Sequence, residues 1–248
     1  MSKVVATNVI PDEASDDLLT IGAASDAVVV NDSLNVNTLK DVGGNTIFVS
    51  DGSGTLTSKS SSFPGALQLL STANPSGAAS VDITSNIDST YDVYCLKFIE
   101  INSDQTNASF MFNGASVADD SGNDQTKTTT IFYAQQNESG ANNELAYYAA
   151  RDLAQSSGDQ YLAYNADGAA DSSLCGELYL FGPSSPTYVK HFYATIIIMQ
   201  YDVSSTYCSN YFVAGYFNTT NVIDKLTFNF DSGNIADGTI KLYGISKS

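Results

Sequence analysis

The only histidine of the chain, His191, lies in the run TYVKHFYATIII. It is the one side chain whose ordinary pKa suits proton transfer near neutral pH. Serines and aspartates are plentiful enough to complete a nucleophile, base and acid set around it, but no G-x-S-x-G elbow fixes an order among them. A histidine inside an apolar, β-branched run is therefore expected to be a strand residue. Paired carboxylates would be the other route to hydrolysis. The acids, however, gather in turn-like stretches, Asp119-Asp120-Ser121-Gly122-Asn123-Asp124 and Asn165-Ala166-Asp167-Gly168-Ala169-Ala170-Asp171, rather than in apolar surroundings. Both stretches carry oxygen ligands at calcium-like spacing without the twelve-residue loop and its closing Glu, so solvated turns are expected. The phosphate loop G-x-x-x-x-G-K-[ST], the dinucleotide G-x-G-x-x-G, the zinc H-E-x-x-H and paired C-x-x-C motifs are all missing. The expectation is a protein without catalysis, cofactor or metal.

The richest chemical resource is aromatic, with 15 Tyr, 12 Phe and no Trp. Tyrosine joins a flat apolar face to one polar tip, which suits stacking on sugars and the wet core of a protein interface, and also suits plain sheet lining. Tyr147, Tyr148, Tyr161 and Tyr164 are the candidate ligand or interface aromatics. Charge narrows the partners: 27 acidic against 10 basic residues give a net charge of −17. Such a surface repels a phosphate backbone and anionic lipid alike, so neither nucleic acid nor membrane is expected as a partner.

The first residues, MSKVVATNVIPDEASDD, hold no apolar core of signal-peptide length, and Ala194–Met199 is too short to span a bilayer. Synthesis in a reducing cytoplasm is the expectation. Cys95, Cys175 and Cys208 are an odd count, which excludes a complete intrachain disulfide framework. They read as small apolar fillers of strands.

The elements that must position these residues are strands. Only 15% of residues are charged, and Thr, Ser, Asn, Gly and Tyr abound, a composition that favours pleated sheets and turns over amphipathic helices. The chain is expected to be all-β, in two parts. Residues 1–62 carry short apolar runs (Leu18–Ile21, Ala27–Val30, Leu34–Leu39 and Thr46–Val49) parted by turn residues such as Gly43-Gly44 and Asp51-Gly52. Runs this short gain order by pairing with copies of themselves or with a partner surface. Val28, Val30, Leu34, Leu39, Ile47 and Val49 are accordingly the candidate assembly residues.

The polar run Ser58-Lys59-Ser60-Ser61-Ser62 ends at Phe63-Pro64-Gly65, and the boundary is expected there, with a β-sandwich or jelly roll over 63–248. Its strand candidates are Val93–Ile101, apolar on both faces and so central, together with Ala108–Phe112, Thr126–Tyr133, Leu174–Phe181, Tyr188–Met199, Tyr207–Phe217, Val222–Phe230 and Ile240–Ile245. Asn143–Gln155 departs from this pattern. It predicts a short surface helix capped by Asn142 or Asn143, with a strand over Leu145–Ala149 as the competing reading.

The phrases TLKDVGGNTIFVSDGSGTLTS, ALQLLSTANPSGAASVDITSNIDSTYDVYCLKFIEI, SPTYVKHFYATI, YFVAGYFNTTNVIDKLTFNF and SGNIADGTIKLYGI together resemble a group of structural proteins carried by tailed phages, marine ones especially. The resemblance runs from about Leu39 to Ile245. It implies a homotrimeric component of the virion surface, a tail fibre or a capsid decoration, made in the host cytoplasm. An N-terminal segment would anchor or intertwine, the sandwich would face outward, and the partners would be further copies and other virion proteins. An alternative within the same group is a host-glycan-binding adhesin domain of a tail fibre. The resemblance transfers no catalytic residue.

Overall fold

Hydroxyl, amide and aromatic side chains repeat at the two-residue period of a pleated strand, and all fifteen regular elements among the described residues are strands. The computed structural model describes residues 38–40, 43–53, 56–59, 67–116, 125–203 and 205–245. The chain divides into two compact units, Met1–Phe63 and Pro64–Ser248.

In the first unit, β1 (Thr38–Lys40), β2 (Thr46–Ser50) and β3 (Leu56–Lys59) form a three-stranded antiparallel sheet in chain order. Gly44 and Gly52 occupy the turns with φ of 80° and 81°, a region that costs glycine nothing. The Asp51 carboxylate accepts the Ser53 N–H at 2.7 Å to close the second turn. Ser58 and Lys59, read above as the start of a polar run, end β3 instead. The remainder of that run, and the strand candidates Leu18–Ile21 and Ala27–Val30, lie outside the described residues.

The second unit contains β4 (Leu67–Ala73), β5 (Ser80–Ile83), β6 (Val93–Ser103), β7 (Ala108–Ala115), β8 (Lys127–Asn137), β9 (Asn143–Tyr147), β10 (Gln160–Ala166), β11 (Leu174–Phe181), β12 (Lys190–Gln200), β13 (Tyr207–Phe217), β14 (Lys225–Phe230) and β15 (Ile235–Ile245). Every pairing is antiparallel. The twelve strands belong to one continuous, nearly closed sheet that forms two layers, which can be treated as an eight-stranded sheet in the order β4-β15-β6-β11-β12-β13-β8-β9 and a four-stranded sheet in the order β10-β7-β14-β5. A single residue pair, Ala166 with Gln200, joins β10 to β12 at one corner, and a bridge from Ala78 to Ile235 approaches closure at another. The result is an all-β antiparallel sandwich of jelly-roll type.

The core lies between the two sheets. Phe110 and Phe112 of β7 and Phe228 of β14 come from the smaller sheet, and Phe98, Phe192 and Phe217 from the larger. Their rings meet edge to face, with centroids 5.4 Å apart for Phe98–Phe110, 5.2 Å for Phe98–Phe228 and 5.0 Å for Phe112–Phe192. β6, apolar on both faces, sits centrally between β15 and β11.

The segment read as a helix over Asn143–Gln155 is strand β9 followed by a turn. Phe132 faces Tyr147 and Ala134 faces Leu145 across the β8–β9 ladder, and the Arg151 N–H then donates to the Tyr148 carbonyl at 3.0 Å. The edge of β8 supplies hydrogen-bond partners along the whole segment, and this outweighs the helix propensity of Glu144, Leu145 and Ala146.

Candidate interaction face

Alternation along β12 sends Lys190, Phe192, Ala194, Ile196 and Ile198 into the core, where all are buried. His191, Tyr193, Thr195, Ile197 and Met199 point to the opposite side of the eight-stranded sheet. The neighbouring strands continue that outward side as a mainly apolar surface, with Thr195, Asn210 and Gln136 set among its aromatic and aliphatic residues. In one cross-strand row Thr195 faces Phe212, Phe212 faces Phe132 and Phe132 faces Tyr147. In the next, Cys175 faces Ile197, then come Asn210, Ala134 and Leu145. Phe132 and Phe212 stack at 4.9 Å, as do Tyr179 and Tyr193, and Phe181 joins Tyr193 at 5.9 Å.

Much of this apolar surface meets solvent: Ile197 is 52% exposed, Phe132 42% and Leu145 74%, and Leu67 and Leu69 on edge strand β4 extend it. Scattered exposed apolar residues are ordinary, whereas a contiguous aromatic and aliphatic sheet face marks an interaction surface. A hollow of about 660 Å³ lies between Ala134, Gln136, Cys175, Ile197, Met199 and Cys208. A second, of about 420 Å³, lies between Thr128, Phe181, His191, Tyr193 and Tyr216. Charge is sparse across the middle of the face, and there Lys97 on β6 is paired with Glu177 on β11.

The candidate tyrosines separate. Tyr148, Tyr161 and Tyr164 come together around Arg151, whose guanidinium carbon lies 4.4 Å from the Tyr161 centroid and 4.7 Å from that of Tyr164. Tyr148 meets Tyr164 edge-on at 5.4 Å, and Tyr133 links the cluster to Tyr211. Burial, followed by the 2.8 Å hydrogen bond that its hydroxyl donates to Glu144, pushes Tyr133 up to about 12. Tyr147 stands apart on the outward face, its hydroxyl donating to Asp152 at 2.5 Å.

Of the candidate assembly residues, Val28, Val30 and Leu34 lie outside the described residues. Leu39 is exposed on β1 opposite Phe48, while Ile47 and Val49 are half-buried on the other side of β2. One cysteine reading needs correction. Cys95 is a buried filler whose thiol is pushed up by burial, but Cys175 and Cys208 are exposed on the outward face of β11 and β13. Their inward neighbours, Leu174 and Ser209, take the buried positions instead.

His191 also faces outward, its ring 6.0 Å from that of Tyr216, with no serine or carboxylate hydrogen-bonded to it among the described residues. The Asp119–Asp124 stretch lies outside the described residues. In the other acidic stretch, the Asp167 carboxylate accepts the Ala169 N–H at 3.1 Å and so closes its own turn. No group of three potential metal ligands gathers among the described residues.

Sequence reasoning missed the outward face as a unit. Its signal was present in runs such as ATIIIM and NYFVAGYF, which are apolar at nearly every position although residues on the second side of their sheet, Ile197 and Tyr193 among them, are exposed. Compared with protein-family models, curated proteins and solved structures, the chain gives no match.

Proposed function

We propose that the chain is a non-enzymatic structural subunit of a tailed-phage virion. In this reading it is a homotrimeric surface protein, a tail fibre or a capsid decoration, made in the host cytoplasm, attached to the particle through residues 1–62 and displaying its sandwich outward. The phrase-level resemblance supports the phage setting. The single observation that carries an assembly role is the apolar outward face of the eight-stranded sheet.

A chain of net charge −17 repels its own copies. Contact between copies therefore favours ground where carboxylates are few, and the middle of the outward face, with Glu177 already neutralised by Lys97, is such ground. Neighbouring virion proteins complete the set of partners, while the same acidity disfavours nucleic acid and anionic membrane. Glycan recognition is the weaker reading, because the faces that Tyr161 and Tyr164 would offer to a sugar are covered by Arg151.

Size-exclusion chromatography with light scattering tests the assembly role. The full chain should elute as a trimer, and the double substitution Phe132→Glu with Ile197→Glu should yield a folded monomer with unchanged far-UV circular dichroism. A monomeric wild type, or a trimer that ignores both substitutions, counts against the reading. Deletion of residues 1–62 should leave a folded sandwich that no longer joins the particle; incorporation of the truncated chain would move the attachment surface elsewhere.

A further inference from the structure

Asn113 on β7 and Lys127 at the start of β8 belong to opposite sheets of the sandwich, yet their side chains meet in the interior, 2% and 0% exposed. Lys127 Nζ donates to Asn113 Oδ1 at 2.6 Å. With a carbonyl bond of about 1.2 Å, that contact puts the lysine nitrogen no more than about 3.8 Å from the amide carbon.

The rest of the amide is also held. Its Oδ1 accepts the Gly114 backbone N–H at 2.9 Å. Its Nδ2 donates to the Ser157 carbonyl at 3.0 Å and to Asp159 Oδ1 at 2.8 Å. Lys127 is steered by the carbonyls of Gln125 and Ser157, at 3.1 and 3.4 Å, and lies 5.6 Å from the centre of the Phe217 ring. A backbone ladder between Lys127 and Ser156 fixes the loop that carries Ser157 and Asp159.

This is the arrangement needed for aminolysis of an amide: nucleophile at the carbonyl, a donor on the oxygen that becomes negative, and a carboxyl group on the leaving nitrogen. We propose that Asn113 and Lys127 join through an autocatalytic isopeptide bond, with Asp159 as the proton carrier. Lys127 Nζ, as the neutral amine, attacks Asn113 Cγ, and the Gly114 N–H stabilises the oxyanion. Collapse then breaks the Cγ–Nδ2 bond, and ammonia departs. The lysine ammonium gives up one proton before the attack and a second as the new bond forms; Asp159 carries one to the departing nitrogen and the released ammonia takes the other, so that an ammonium ion and an amide yield a secondary amide and ammonium. Nothing is oxidised or reduced. Burial keeps water from competing for the carbonyl. The bond ties the four-stranded sheet to the eight-stranded sheet from within, and it is independent of the virion reading.

High-resolution mass spectrometry of the purified full chain reads the bond directly. The intact protein should be lighter than its sequence by the mass of one ammonia, and trypsin should release a single branched peptide joining the Asn113 and Lys127 segments, uncut after Lys127. A succinimide at Asn113-Gly114 would lose the same ammonia. The branched peptide therefore decides: ammonia loss confined to an unbranched peptide, or a chain at full mass that trypsin cuts after Lys127, overturns the proposal. Asp159→Asn should leave the fold intact and reduce linkage at least tenfold, and full linkage in that variant would overturn the part given to Asp159.

Discussion

Arg151 lies across the faces of Tyr161 and Tyr164, so its contribution is one of stacking more than of ion pairing. Arg151→Ala removes the filling of a tyrosine cluster and should destabilise the fold by about 1–3 kcal/mol. Arg151→Lys should recover only part of that, because an ammonium cannot stack as a plane. Urea denaturation of the two variants checks both statements, and an unchanged midpoint for Arg151→Ala would contradict the stacking argument. The sequence marked Tyr148, Tyr161 and Tyr164 as special by their crowding, but their common partner was not legible. Nothing in the spacing 151, 161, 164 says that β10 brings its tyrosines onto the turn after β9. The Asn113, Lys127 and Asp159 contact was hidden for the same reason, since two sheets must pack before those three residues meet.

Gly244 on β15 shows how one element accepts another. The Tyr91 ring lies over it so closely that an added Cβ would stand 2.4 Å from Tyr91 Cδ2, and Tyr91 in turn meets Tyr94 edge-on at 5.7 Å. Gly244→Val must displace that ring and should cost about 1–3 kcal/mol, read as a lowered melting temperature by circular dichroism. A variant that melts with the wild type would show that Tyr91 moves freely. At this scale the sequence spoke most clearly where apolar residues run long, as in Val93–Ile101 and Tyr207–Phe217, which the structure returns as β6 and β13. β10 gave no such signal, because Gln160 and Asn165 interrupt its apolar residues and turn residues crowd both ends. β9 misled because its own propensity points to a helix while its hydrogen-bond partners lie on β8.

The whole sandwich is set against alkali by its tyrosines. Burial, then the bond to Glu144, pushes Tyr133 up to about 12, and burial pushes Tyr179 and Tyr211 higher still. In the unfolded chain tyrosine ionises near about 10. The native state therefore keeps protons that the unfolded state releases, and stability falls as pH rises from about 10 towards 12. These groups make no such demand below pH of about 10. Tyrosinate absorbance should lag and then climb together with the loss of circular dichroism, and a smooth climb that precedes unfolding would refute the assignment. That the molecule is all-β was legible in its composition; that one face of the larger sheet is exposed among the described residues was not, since a strand apolar on both sides reads as buried whichever sheet it joins. The two exposed thiols on that face, Cys175 and Cys208, flank β12, while Cys95 is sealed. Assembly thereby becomes a matter of counting: a maleimide reagent should find two reactive sulfurs on a solitary folded chain, three once it is denatured, and none where another copy lies over the face.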